Sequence, residues 1–265
     1  MIRYFRYSSA NNNPLANNPR HKLANSHALN IYLADAIYSF IPKNACSTMR
    51  TSIALANGCI KDPSQFNWIH KNNFTFSANL SELLKAKYTF TILRCPYSRL
   101  ASAYLDKIVN RDNVAWGYYE LRGRKVDLED VSFSSFVKSM AEPRIRAGNP
   151  HWRPQVDFLV YENYDDIFAM ENFSQVASTL KNKINLEVVD ARKLTNHGVD
   201  SLTLIGDKNY SDTKPLEFLK MKAKGKYPTA KALYSPELVK VVNSAFKADL
   251  DLYKRMFGTD NLLFK

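Results

Sequence analysis

Two stretches of this chain carry residue types spaced to hold anions. The first is Ile41, Pro42, Lys43, Asn44, Ala45, Cys46, Ser47, Thr48, Met49 and Arg50; the second runs over 90–104 and contains Arg94, Cys95, Pro96, Arg99 and Ser102. In each, an apolar run ends in a basic residue, hydroxyl side chains follow, and a helical pattern begins. The N-terminus of a helix that follows a strand presents unpartnered backbone N–H groups at the positive end of its dipole, which makes it a ready anion site. Lys43 can reach a phosphate lying on the helix start, where Asn44, Ser47 and Thr48 can donate. In the second stretch Arg94 closes the apolar run and Ser102 follows about two helical turns later; Arg99 and Ser102 are three apart and share a helix face. Taken singly, each stretch is also explained by an ordinary strand-to-helix turn. The pair suits a ligand with two separated phosphates.

Composition limits what that ligand can be. Thirty-seven basic against 25 acidic residues give a net charge of +12, which attracts nucleotides, nucleic acid, acidic lipid or acidic glycan. Only eight glycines occur, and neither a Gly-x-x-x-x-Gly-Lys-Ser/Thr run nor a Gly-x-Gly-x-x-Gly run is present, so phosphate must be gripped without a glycine-rich loop. Cys46, Cys59 and Cys95 have no metal-ligand spacing, and their odd number suits reduced thiols in a cytosolic protein. No apolar run reaches the roughly 18–20 residues of a membrane span. The first residues lack a signal-peptide pattern. The expectation is a soluble, cytoplasmic chain whose charge is compatible with peripheral association at an anionic membrane surface.

The elements that must position these residues follow from periodicity and punctuation. Residues 1–30, rich in Asn, Ala and Pro from residue 8, read as an irregular N-terminal arm, and 31–265 as a single domain with a loop-rich insertion at about 111–155 holding one helix over 132–140. Strands are expected at 36–41, 66–69, 88–93, 156–161 and 166–170. Helices are expected at 46–57 with Gly58 as the stop, at 80–86, from Pro96 to about Asn110, and at 172–183. A closing helix is expected from Ser235 as cap to Gly258. Lys222, Lys224, Lys226 and Lys231 read as a mobile loop. Alternating strands and helices give an α/β fold with a central parallel sheet flanked by helices. Ligands of such sheets bind at the carboxyl ends of the strands, where both stretches lie.

At this point the residues resemble a known family. Pro42, Lys43, Asn44, Ala45, Cys46, Ser47 and Thr48 are similar to the 5′-phosphosulfate loop of sulfotransferases, and the run from Arg94 to Tyr104 is similar to their 3′-phosphate motif. His151-Trp152-Arg153-Pro154-Gln155, the stretch 164–173, and Leu233-Tyr234-Ser235-Pro236-Glu237-Leu238-Val239 resemble further motifs of the carbohydrate sulfotransferases that include the Golgi chondroitin and HNK-1 enzymes. The resemblance covers roughly residues 36–258. It implies a P-loop-kinase-like three-layer fold and the donor 3′-phosphoadenosine-5′-phosphosulfate (PAPS), with adenosine 3′,5′-bisphosphate (PAP) as product and no metal. Carried over, Lys43, Asn44, Ala45, Cys46, Ser47 and Thr48 hold the 5′-phosphosulfate, and Arg94 and Ser102 hold the 3′-phosphate. Two departures stand out: Cys95 occupies a position where the family usually has an acid, and the Golgi members' membrane anchor is missing, which implies a soluble, bacterial-type enzyme acting on a carbohydrate or glycolipid.

Sulfuryl transfer needs a base for the acceptor hydroxyl, and histidine suits it because its pKa lies near neutrality. Of His21, His27, His70, His151 and His197, the first two lie in the polar arm and are expected to face solvent. His70 follows the expected strand at 66–69 and is the histidine between the two phosphate motifs, where the family carries its catalytic one; His151 is the second candidate. Lys43 is placed to stabilise charge on the departing phosphate. Arg122, Arg124, Lys125, Arg144, Arg146 and Arg153, with Trp116, Tyr118, Tyr119 and Trp152 nearby, form either a solvated basic face or an acceptor-binding rim, and Thr195, Asn196 and His197 are candidates to line the nucleotide. Two other function classes stay open: a P-loop-type small-molecule kinase, disfavoured by the missing glycine loop, and a basic nucleic-acid-binding protein, disfavoured by the lack of any helix-turn-helix, zinc-finger or RNA-binding signature.

Overall fold

The computed structural model describes residues 2–8, 14–191 and 202–265. The chain divides into two compact units, one formed by Met1–Leu93 with Gln155–Asn196 and the other by Arg94–Pro154 with His197–Lys265.

The first unit is a three-layer α/β sandwich. Its sheet has the order β1 (Ala28–Ile31), β2 (Ala36–Ser39), β3 (Tyr88–Leu93), β4 (Asp166–Ala169). β1 pairs antiparallel with β2, while β2, β3 and β4 run parallel, with Ile37 opposite Thr89 and Thr91 opposite Ile167. All six residues of β3 are buried, as expected of a central parallel strand covered on both faces. Successive residues of β2 point to opposite faces. Tyr38 joins Phe90, Ile92, Met49, Ile53, Val176 and Leu180, so α2 (Cys46–Ala56) and the late helix Phe173–Ile184 cover one face. Ile37 joins Ala24, Leu83, Val160 and Tyr161, so α1 (Pro19–Ser26) and α4 (Leu80–Lys85) cover the other. A short helix, α3 (Trp68–Lys71), lies between α2 and α4 in the chain.

The second unit is mostly helical. It contains α5 (Pro96–Ala103), which widens into a π-type turn over Tyr104–Ile108, then α6 (Asn113–Leu121), α7 (Phe133–Ser139) and α8 (Pro143–Ala147). Counting Phe173–Ile184 as α9, there follow α10 (Pro215–Ala223), α11 (Pro236–Ala245) and α12 (Lys247–Phe257), with a parallel pair β5 (Thr203–Ile205) and β6 (Lys226–Pro228). Its core is aromatic. Tyr104 meets Phe133 at 5.3 Å, Phe136 meets Trp152 at 5.5 Å, and Phe133 meets Tyr234 at 4.8 Å, mostly edge-on. Among the described residues no helix is long and apolar enough to cross a membrane.

Several expected elements differ, each for a local physical reason. Residues 66–69 are a turn running into the start of α3 instead of extended. Asp62 accepts from Ser64 N–H at 2.8 Å while Gln65 reaches back to Asp62 N–H, and this capping box starts a turn at Pro63–Gln65 that runs on into α3. Residues 156–161 form a 3-10 turn (Gln155–Phe158) and a single bridge between Tyr161 and Phe5. The expected irregular arm holds a helix and a strand: Asn18 caps α1 by accepting from Arg20 and His21 N–H, Pro19 takes the first helical position, and β1 follows. Residues 111–155 hold three helices, not one. The closing helix breaks at Phe246 into α11 and α12. The lysine-rich 222–231 segment is not a loop: it ends α10, turns at Gly225 with φ +69°, and forms β6.

Candidate functional site

In the first unit, β2 feeds α2 through the 40–45 loop. Lys43 and Ala45 take left-handed backbone angles, φ +73° and +54°, without being glycine. Each such residue costs of order 1–3 kcal/mol and persists only where the surroundings over-determine it. Asn44 between them is the peg. Its side chain is fully buried, and its amide Nδ2 donates to the Ile92 carbonyl at 2.8 Å and to Gln155 Oε1 at 2.6 Å, while its backbone N–H donates to Ile41 O. The sequence suggested that Asn44 would donate to the ligand; the structure instead turns its donors inward, to the end of β3 and to the 3-10 turn at Gln155.

α2 begins directly at this loop. No side chain caps it, and Met49 N–H to Ala45 O is its first closing bond. The N–H groups of Cys46, Ser47 and Thr48 therefore sit at an uncapped helix start, beside the half-buried Lys43. Cys46 and Ser47 are partly exposed and Thr48 is buried. His70 is exposed in the last turn of α3, which packs against α2, so it is carried by a helix and not by a strand end.

In the second unit, Arg94 and Ser102 are half-buried at the start and along the length of α5. Arg99 does not present itself beside Ser102. It is buried, and its guanidinium donates to the carbonyls of Arg153 at 2.7 Å and Pro150 at 3.1 Å, bracing the segment that bears His151. Cys95, where the family usually has an acid, is fully buried, and its sulfur accepts from Leu263 N–H at 3.4 Å. His151 is half-buried, with Nδ1 2.9 Å from Asn149 Oδ1. Trp152 is a core residue whose Nε1 donates to Ile145 O at 2.9 Å.

The remaining candidates sort by burial and partner. Tyr118 and Trp152 are too buried to stack on a sugar, whereas Trp116 is 58% exposed beside Tyr119. Arg124 is paired with Glu120, and Arg146 donates to the Met140 carbonyl. Arg122, Lys125, Lys138 and Arg144 surround a cavity of about 790 Å³ with Glu142 as its one carboxylate; sequence reasoning missed Lys138 because it lies on α7, away from the basic run. His21 and His27, expected in solvent, are buried. His27 meets Phe40 tilted at 4.7 Å and Phe158 edge-on at 4.8 Å, and burial lowers the pKa of His21. Thr195, Asn196 and His197 lie outside the described residues.

The sulfotransferase family model matches residues 34–255, a span that contains both loops, His70 and His151. The chain belongs to the sulfotransferase family. Carbohydrate sulfotransferase 11 of Rattus norvegicus and of Mus musculus are each 27% identical to this chain over 147 residues, covering 45% of this chain and 41% of the relative. Carbohydrate sulfotransferase 14 of Danio rerio is 22% identical over 166 residues, covering 56% and 45%. The chain thus aligns with less than half the length of these curated relatives. No solved structure matches this sulfotransferase significantly.

Proposed function

We propose that the chain moves the sulfuryl group of PAPS to a hydroxyl of a carbohydrate acceptor, a sugar or a glycolipid, and releases PAP. The observation that carries the reading is the loop at 43–48: a glycine-free turn with two left-handed residues, pegged by Asn44 and opening onto an uncapped helix. Uncapped N–H groups beside a lysine fit a phosphate-type anion. The carbohydrate acceptor comes from the names of the relatives, which are carbohydrate sulfotransferases.

When bound, PAPS supplies a sulfuryl group with a phosphate as its leaving group. In this reading the N–H groups of Cys46, Ser47 and Thr48 and the Lys43 ammonium orient the 5′ end and stabilise charge on the departing phosphate. Arg94 and Ser102 bind the 3′-phosphate. A ring nitrogen of His70 takes the acceptor's proton, with His151 as the alternative base. Arg122 and Arg144, at the rim of the basic cavity, are offered for the acceptor. The free thiols of Cys46, Cys59 and Cys95 suit a cytoplasmic, reducing setting.

Thermal shift with PAP, with ATP and magnesium, and with an oligonucleotide tests the reading. A ligand at a hundredfold its Kd stabilises by about 2.7 kcal/mol. PAP is expected to raise the transition, and the other two to leave it in place. Stabilisation by ATP and magnesium alone overturns the donor assignment in favour of a kinase.

A further inference from the structure

Arg50 lies one turn beyond Cys46 on α2 and is only 8% exposed. Its guanidinium meets no carboxylate among the described residues. It donates to the Ile69 carbonyl and to Asn73 Oδ1, and lies 5.5 Å over the Phe40 ring. A buried cation without a counter-ion is expensive where an apolar side chain could pack instead, so its targets identify what it does. Ile69 is the residue before His70, and Asn73 Nδ2 donates in turn to the His70 carbonyl at 3.2 Å. One bond therefore holds the backbone just before His70, and the other holds the Asn73 side chain that in turn ties down the His70 carbonyl.

The turn that carries His70 is seated in the core of the first unit by Ile69, which is 2% exposed, and by Trp68, but it is short. α3 has four residues, and no side chain caps it. Helices this short are not stable by themselves, because one turn does not recover the cost of nucleation. The firm attachment is to α2, whose first turn forms the anion-binding loop. We propose that Arg50 is a positioning residue that clamps the His70 turn to α2, so that base placement and donor placement share one helix.

This inference rests on the reading of His70 as the base, and the test separates the two. Turnover of the full chain and PAP affinity by calorimetry are measured for Arg50→Met, Arg50→Lys, Asn73→Ala and His70→Ala. A displacement of about 1 Å at a reacting group can lower a rate about 100-fold. Arg50→Met is expected to lose tenfold or more in kcat while the Kd for PAP stays within about twofold, and Arg50→Lys is expected to recover part of the loss. Asn73→Ala removes one of the two attachments and leaves Arg50 itself and its bond to the Ile69 carbonyl in place, and a severalfold loss of kcat is expected even if Arg50→Met fails to fold. Unchanged kcat in Asn73→Ala and Arg50→Met, with His70→Ala inactive, overturns the clamp alone, as does loss of PAP affinity in proportion to kcat. Full turnover in His70→Ala overturns the base assignment and the clamp with it.

Discussion

Replacing Asn44 by alanine tests whether the peg holds the loop. The side chain is fully buried, and its Nδ2 satisfies two acceptors, the Ile92 carbonyl and Gln155 Oε1, while its own Oδ1 has no hydrogen-bond partner among the described residues. Each buried acceptor left unpaired costs about 1–3 kcal/mol. The truncation also removes the unpaired Oδ1, which returns about 1 kcal/mol by the same reasoning. The net loss for the first unit is about 1–5 kcal/mol, or about 2–20 °C at roughly 2–4 °C per kcal/mol for a chain of this size. Freed of its peg, the loop relaxes from the left-handed angles at Lys43 and Ala45, and PAP affinity is expected to fall at least tenfold. Urea unfolding followed by intrinsic fluorescence, with calorimetric PAP titration of the folded variant, reads both effects. A stability change under about 0.5 kcal/mol with PAP affinity unchanged refutes the idea that Asn44 sets the loop.

Further outcomes follow from the same contacts. His70→Ala is expected to bind PAP normally and lose transfer; retained turnover moves the role of base to His151. Asp165 is desolvated, which alone raises its pKa, yet the bonds from Arg3, with Nη2 at 2.8 Å, and from the Thr89 N–H and hydroxyl outweigh this and hold its carboxyl below the ordinary 3.8. A depressed pKa gives stability that is complete above 3.8 and lost as pH falls through the folded value. Asp165→Asn should therefore destabilise by about 2 kcal/mol at pH 7, since the buried Arg3 keeps its bonds to the Ala86 and Lys87 carbonyls and to Thr89 Oγ1 but loses its carboxylate. The gap to wild type should shrink toward pH 3, and a gap that does not change with pH in urea melts counts against the pairing. Cys46 is a partly exposed free thiol at the first position of α2, whereas Cys59 is exposed elsewhere. PAP should slow alkylation of Cys46 and not of Cys59, as read by peptide mass spectrometry, and equal protection of both speaks against the loop as the binding place. Arg94→Ala should weaken PAP binding, and unchanged calorimetric affinity discredits the 3′-phosphate assignment.

What could be read from sequence was local. The helix expected at 80–86 is present, opened by a capping box of Asn79 and Glu82, Ser235 accepts from Leu238 N–H ahead of Pro236, and Gly58 closes α2 at φ +74°. The energies that place these ends come from residues within a few positions of each other, so the pattern is visible without the fold. The parallel core was legible for the same reason, since Tyr88–Leu93 is an unbroken apolar and β-branched run. The misread parts depend on distant partners or on competition between local rules. At 66–69 the capping box of Asp62 and Gln65 overrode β-propensity. His27 looked solvated because its aromatic neighbours, Phe40, Phe74 and Phe158, come from three separate segments. Asn44 looked like a ligand donor because its acceptors lie 48 and 111 residues away in the chain. Which basic residues of 111–155 line the cavity could not be read until α6, α7 and α8 were placed.

The central claim is sulfuryl transfer, and it is tested most directly by incubating the full chain with PAPS labelled on the sulfuryl group and a panel of carbohydrates and glycolipids. The account predicts label on at least one acceptor, with PAP formed in equal amount and both lost in His70→Ala. Label that stays on the donor across the whole panel, together with phosphoryl transfer from labelled ATP to any of the same acceptors, contradicts it.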